Sequence, residues 1–266
     1  MKVITFLTDF GLQDDFVGTC HGVIARIAPE ARVIDITHGI AATSVLHGAL
    51  VLRNTTVYMP VGVHLAVVDP GVGGERRAIA VGTADGRVFV GPDNGLLILA
   101  AEQFEIEAAH ELADPRYRLP EVSRTFHARD VFAPAAAHLA AGVPIGELGP
   151  PLDASQLVRV DVPDPEVGRS QISAKVLSVD RFGNVATNAR RRHLEGLGVA
   201  DGDRVEIRLM LDRYYALVAG TFADAPPGEL IVYEDSYGLV TLAISSGDAA
   251  RLTGVGLGDE LRIAAV

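Results

Sequence analysis

Val3-Ile4-Thr5-Phe6-Leu7-Thr8-Asp9-Phe10-Gly11-Leu12-Gln13-Asp14-Asp15-Phe16 runs from an apolar, β-branched stretch through an acidic, glycine-containing loop into a helical period. A strand feeding a helix in this way predicts the first half of a βαβ unit. The rhythm continues: a helix near Phe16 to Ile27, a strand at Val33 to Ile36, a helix near Val45 to Leu52, and a strand at His64 to Val68. Ala78 to Val81 and Val88 to Val90 read as further strands, and the alanine-rich Val131 to Ala141 as a closing helix. The expected fold is α/β, with an N-terminal Rossmann-like, mostly parallel sheet carrying helices on both faces. Such a sheet offers ligand groups from loops at the carboxyl ends of its strands.

The pattern changes after residue 150. Residues 149–168 hold Pro150, Pro151, Pro163 and Pro165 with little periodicity, the mark of a linker or surface crossing. Beyond it, short strands at Ile172 to Val179, Val205 to Leu211, Leu230 to Tyr233, Leu239 to Ile244 and Glu260 to Ile263 alternate with Gly, Asp and Asn. They predict a C-terminal antiparallel β-barrel or sandwich. The expected domains are therefore 1–150, a proline-rich linker at 151–168, and 169–266.

A formal net charge of −11 over 266 residues disfavours a nucleic-acid partner, whose phosphates are bound through Lys and Arg, and fits a neutral or cationic small molecule better. No stretch approaches the roughly 20 apolar residues of a membrane span. The opening apolar run is too short for a secretory signal, and the lone Cys20 implies a reducing compartment, so a cytoplasmic location is expected.

Five clusters could carry chemistry. Asp9 ends the first strand, where a carboxylate can accept hydrogen bonds from a ribose diol, whereas Asp14 and Asp15 read equally well as helix-capping residues. Val68-Asp69-Pro70-Gly71-Val72-Gly73-Gly74-Glu75-Arg76-Arg77 follows another apolar strand; its glycines build a turn, Asp69 is not required by that turn, and Arg77 reads as a solvated residue. It has neither the Walker nor the GxGxxG spacing. In Thr125-Phe126-His127-Ala128-Arg129-Asp130, His127 is a candidate general base and Asp130 a helix-start residue. His38, in Asp35-Ile36-Thr37-His38-Gly39, is its nearest rival and reads mainly as structural. In Asp180-Arg181-Phe182-Gly183-Asn184, Asp180 could meet an ammonium group and Asn184 a base edge, with hairpin chemistry as the alternative. Tyr233-Glu234-Asp235-Ser236-Tyr237-Gly238 shares that ambiguity.

In chain order, Thr-Asp-Phe-Gly-x-x-Asp-Asp, Asp-Ile-Thr-His, Val-Asp-Pro-Gly-Val-Gly, Gly-Pro-Asp-Asn-Gly, Thr-Phe-His-x-Arg-Asp and Asp-x-Phe-Gly-Asn closely resemble the S-adenosylmethionine hydroxide adenosyltransferases. These are water-using relatives of the fluorinating and chlorinating adenosyl enzymes, and the resemblance covers nearly the whole chain. It implies hydrolysis of S-adenosylmethionine to adenosine and methionine by water attack at the ribose C5′. It also implies an α/β domain followed by a β domain, and a homotrimer with active sites between subunits. No cofactor and no metal are expected.

The resemblance places catalysis on Asp69, Arg76 and His127, with Asp69 and His127 holding and deprotonating the water and Arg76 fixing their geometry; which of the two takes the proton stays open. It puts Asp9 on the ribose diol, Asp14 and Asp180 near the methionine ammonium, Asn184 on the adenine edge and Phe222 against the adenine face. Ser236 would contact the carboxylate, with Phe126 and Tyr237 completing the substrate-binding set; residues 243–247 would add backbone to the adenine pocket. Tyr237 stands where halogenating relatives carry Arg, and Thr43 where relatives often carry an aromatic. Those relatives also have Tyr-Pro in place of Asp69-Pro70. A carboxylate would repel a halide at low effective dielectric but gives water an acceptor. The competing readings are a calcium-dependent nucleoside ribohydrolase, a non-catalytic S-adenosylmethionine or adenosine sensor, and a halogenase.

Overall fold

The computed structural model describes residues 2–209 and 212–266. Met210 and Leu211, at the end of the strand expected over Val205 to Leu211, lie outside the described residues. The chain divides into two compact units, Met1–Asp161 and Val162–Val266.

Six strands build the first unit: β1 (Val3–Thr8), β2 (Arg32–Thr37), β3 (Val63–Val67), β4 (Ala78–Thr83), β5 (Val88–Pro92) and β6 (Ile106–Glu111). Their order is β2-β1-β3-β5-β4-β6. The first four in that order are parallel, and β4 runs antiparallel to both β5 and β6. Side chains alternate across the sheet. Ile4, Phe6, Val63, Leu65 and Val67 face one core with α1 (Phe16–Ile27) and the later alanine-rich helix; Leu7, Ala66 and Val68 face a second core with α2 (Val45–Thr56) and α3 (Ile98–Ala101). Burial on both faces is why β1 and β3 read as continuous apolar runs.

Because β2 and β3 lie on opposite sides of β1, the chain reverses direction across the sheet at the carboxyl ends of β1 and β3. Ligands bind at such a switch point in open α/β sheets. Asp9 follows β1 and Asp69 follows β3, so topology brings the two sequence-distant carboxylates to one place.

The closing helix differs from its expectation over Val131 to Ala141. A wide π turn occupies Ala128–Phe132, and the regular helix α4 spans Ala133–Ala140, with Pro134 in its first turn. The 3.6-residue period cannot register such a turn, which recurs at functional sites.

The second unit closes a barrel. Strands β7 (Glu166–Val167), β8 (Gln171–Val179), β9 (Val185–Thr187), β10 (Arg204–Leu209), β11 (Asp212–Val218), β12 (Leu230–Glu234), β13 (Val240–Ile244) and β14 (Glu260–Ala265) lie in the order β14-β10-β11-β12-β13-β9-β8-β7. Pairing of β14 with β8 completes a seven-stranded ring that leaves β7 outside. All pairs are antiparallel except β11 with β12. Two short helices, α5 (Arg191–Gly196) and α6 (Ala249–Thr253), pack Leu194 and Ala249 against the barrel core.

Candidate active site

Asp69, Arg76 and His127 meet in the first unit. Arg76 clasps the Asp69 carboxylate: Nε donates to Oδ1 at 2.9 Å and to Oδ2 at 3.1 Å, and Nη2 donates to Oδ2 at 2.5 Å. The same Nη2 lies 2.8 Å from His127 Nδ1. The ion pair is nearly buried, with side-chain exposures of 11% and 6% for Arg76 and Asp69, and the guanidinium lies 5.1 Å from the centre of the Phe132 ring. Partner removal at such a site strands a buried charge.

The Arg76–His127 contact defines the histidine's chemistry. A guanidinium has no acceptor, so His127 Nδ1 must accept, and the neutral ring carries its proton on Nε2. Burial, then the Arg76 charge, hold the His127 pKa below the usual imidazole value, against the opposing pull of Asp69 and Asp130. The residue is therefore neutral at pH 7.

Two neighbouring segments hold this group in place. Asp130 is fully buried; it takes Arg129 Nε at 2.6 Å and the Ser123 N–H at 2.8 Å, tying down the segment that leads to His127. It is more than a helix-start residue. In Gly91-Pro92-Asp93-Asn94-Gly95, Asn94 Nδ2 donates to the Val68 carbonyl at 2.8 Å, anchoring the backbone just before Asp69. Arg77, expected to be solvated, instead pairs with the buried Asp93 and donates to the Gln156 carbonyl. The linear sequence could not show this, because Asp93 arrives from the far end of β5.

A cavity of about 110 Å³ lies over this group, lined by Asp9, Phe10, Thr43, Asp69, Phe126 and His127 among others. Asp9 Oδ2 accepts the Thr43 N–H at 2.8 Å. Thr43 has φ +62°, a left-handed conformation that costs a β-branched residue energy and that clusters at functional sites. Phe126 packs edge-on against Phe10 and Phe16. Asp15 occupies the helix N-cap position, yet its side chain makes no capping hydrogen bond and instead accepts from Thr19 Oγ1.

The second unit carries its own cavity of about 860 Å³, lined by Asp180, Phe182, Asn184, Phe222, Tyr233 and the 244–247 turn. Asp180 is the organiser of its hairpin: Oδ1 accepts the Phe182 and Asn184 N–H groups and Oδ2 accepts Asn184 Nδ2 at 2.7 Å. The hairpin alternative is thus realised, and one Oδ2 lone pair is still available to a ligand. Phe222 and Tyr233 stand 4.8 Å apart, ring centre to ring centre. Asp14, Ser236 and Tyr237 line neither of these two cavities; Tyr237 is half-exposed in a turn held by Asp235. Phe10, Phe182 and Tyr233 stand inside the quoted motifs, but the sequence gives them no individual role, since single aromatics near turns carry no spacing signal.

An α/β unit with a buried Asp–Arg–His group at its switch point, followed by a β-barrel with an aromatic-lined cavity, defines a two-part enzyme class acting on small molecules. Two family models match the chain: the SAM hydroxide adenosyltransferase N-terminal domain over residues 4–149 and the C-terminal domain over residues 174–262. The chain belongs to the SAM hydroxide adenosyltransferase family. It is 48% identical to the (R)-S-adenosyl-L-methionine hydrolase of Salinispora arenicola, over 98% of this chain and 97% of that protein. It is 39% identical to the protein of that name from Thermus thermophilus, over 99% and 100%. A fluorinase from an Actinoplanes species is 30% identical over 93% and 92%. The solved structure of an uncharacterized conserved protein from Thermotoga maritima superimposes with a TM-score of 0.89 at 38% identity, covering 98% of this chain and 99% of that one.

Proposed function

We propose that this chain hydrolyses S-adenosylmethionine to adenosine and methionine, with Asp69 as the proton acceptor. The observation that carries the assignment is the Arg76 bridge. His127 has its only free lone pair, on Nδ1, engaged by Arg76, so its exposed function is an Nε2–H donor that orients the water. Asp69 is an acceptor only, and keeps lone pairs beyond those facing Arg76. As the water oxygen bonds to C5′, the C5′–S bond breaks, its electron pair stays on sulfur, and the water proton passes to Asp69. The sulfonium leaves as a neutral thioether, so neither metal nor cofactor is needed for the displacement. Positioning and general-base assistance supply the rate.

A 110 Å³ cavity accepts a fragment of the substrate rather than the whole, which suits the ribose C5′ and the attacking water, with Asp9 on the diol. The larger cavity, with its three aromatic rings, suits adenine, Asn184 reading its edge and Phe222 its face. Asp14, Asp180, Ser236 and Tyr237 are assigned to the methionine end. The relatives are named for the (R) compound, and we extend that preference to this chain. A sulfonium sulfur is a pyramidal stereocentre, so selectivity for one epimer would give the hydrolysis a purpose: clearing one stereoisomer while sparing the other. A homotrimer, with sites completed by neighbouring subunits, belongs to the same proposal; light scattering should return three copies of the 28.1 kDa chain.

The test is incubation of chelator-treated protein with the separated sulfur epimers in oxygen-18 water, followed by mass spectrometry. Adenosine labelled at its 5′ oxygen, formed faster from the (R) epimer, is expected. Bound but unchanged substrate would replace the hydrolase with the sensor reading, and released adenine would point to ribohydrolase chemistry.

A further inference from the structure

His21, Asp35 and His38 converge from α1, β2 and the loop after β2, apart from the residues assigned to catalysis. His21 Nε2 is 2.9 Å and His38 Nε2 3.2 Å from the same Asp35 Oδ1, and the three ligand atoms all lie within 4.8 Å of one another. Ligand atoms bound at about 2.0–2.1 Å to a tetrahedral ion stand about 3.3–3.5 Å apart. The two spacings to Asp35 Oδ1 are within a few tenths of an ångström of that separation, and the half-exposed His21 and Asp35 side chains have room to adjust the third.

The second observation is His38 itself. Its side chain is only 3% exposed, and its Nε2, 3.2 Å from Asp35 Oδ1, has no hydrogen-bond partner of good geometry among the described residues. A buried ring nitrogen without a partner calls for an explanation. On the other side of the ring, Nδ1 is 2.8 Å from Thr8 Oγ1. The tautomer that donates Nδ1–H to this oxygen leaves the Nε2 lone pair directed at the cluster, as second-shell partners do for metal-bound histidines.

We propose that His21 Nε2, Asp35 Oδ1 and His38 Nε2 bind one zinc-class divalent cation, with water in the fourth position. Two imidazoles and one carboxylate suit Zn²⁺ or Co²⁺ rather than Mg²⁺ or Ca²⁺. The ion would be a staple. It would join α1 to β2 and, through Thr8, to β1, beneath the loop that carries Asp9; the Gly11 N–H of that loop donates to the His38 carbonyl at 2.7 Å. From sequence, His38 reads as a turn residue and no metal is expected, because the third ligand, His21, lies in a separate helix.

The chelator-treated full chain should be titrated with Co²⁺ and followed by visible absorption, then by thermal melting with Zn²⁺. One saturable Co²⁺ site per chain is expected, with ligand-field bands that Zn²⁺ abolishes and a melting midpoint that Zn²⁺ raises. Both effects should be lost in Asp35→Asn and in His21→Gln, two half-exposed positions whose replacement leaves the core intact. Absence of a saturable site in the unaltered chain, or bands and affinity unchanged in both variants, would overturn the proposal.

Discussion

Asp69→Asn preserves side-chain shape and one acceptor for Arg76 while removing the charge proposed to take the proton. We expect kcat to fall by roughly 10²–10⁴-fold, the usual contribution of general-base help, with KM changed far less; steady-state kinetics measure both. His127 separates the donor role from the base role. Gln places an N–H near the Nε2 position whereas Ala does not, so His127→Gln should retain more kcat/KM than His127→Ala, and equal losses would contradict the donor assignment. The pH profile follows with a definite sign. Protonation would put an N–H on Nδ1 against the Arg76 guanidinium, so activity should hold at neutral pH and decline only at acid pH, as pH falls through the lowered His127 pKa. A decline already under way above pH 7 would count against it.

At the scale of elements, the loop after β3 and the segment leading to the π turn must keep a fixed separation, and Gly73 sets it. Gly73 has φ +76°, and a Cβ there would lie 2.2 Å from the Arg124 carbonyl oxygen. Gly73→Ala should therefore cost roughly 1–3 kcal/mol of stability, the range for an enforced unfavourable backbone, and lower kcat by spreading Asp69 and Arg76 from His127. Denaturant melts and kinetics on the same preparation check the pair. Elements with strong periodicity were legible: α1 spans Phe16–Ile27 as expected. The missed ones have physical reasons. Strand β6 reads Ile-Glu-Ala-Ala-His-Glu, with one β-branched residue and no apolar–polar alternation, β9 has three residues, and α5 and α6 are too short to show a helical period.

For the whole molecule, buried histidines give an acid limit to stability. His64 is fully buried against Phe89, bonded through Nδ1 to Thr5, and its pKa is pushed down to about 4, by burial first and then by Arg87. The unfolded chain therefore binds more protons than the folded one between about pH 6.5 and 4, and stability rises with pH across that window. The full effect is present above pH 6.5 and lost as pH falls through 4, amounting to about 3 kcal/mol for this one residue. Urea melts at pH 7 and pH 4.5 should show the loss, and His64→Gln should flatten the dependence; a pH-independent midpoint would refute it.

The α/β character, the barrel-like second half and the family were all readable along the chain. Strand and helix periods are local properties, and six motifs in fixed order identify a family without coordinates. The sequence also points to Asp69, Arg76 and His127 as the catalytic set, but only through the resemblance. Tertiary structure alone decided that one guanidinium joins the other two, that His127 therefore carries its proton on Nε2, that Arg77 is paired rather than solvated, and that His21 meets Asp35 and His38. These are contacts between residues up to 79 positions apart, set by the strand order β2-β1-β3-β5-β4 and by a π turn. Neither leaves a local signature in the sequence, because each depends on which strands become neighbours once the apolar faces are buried.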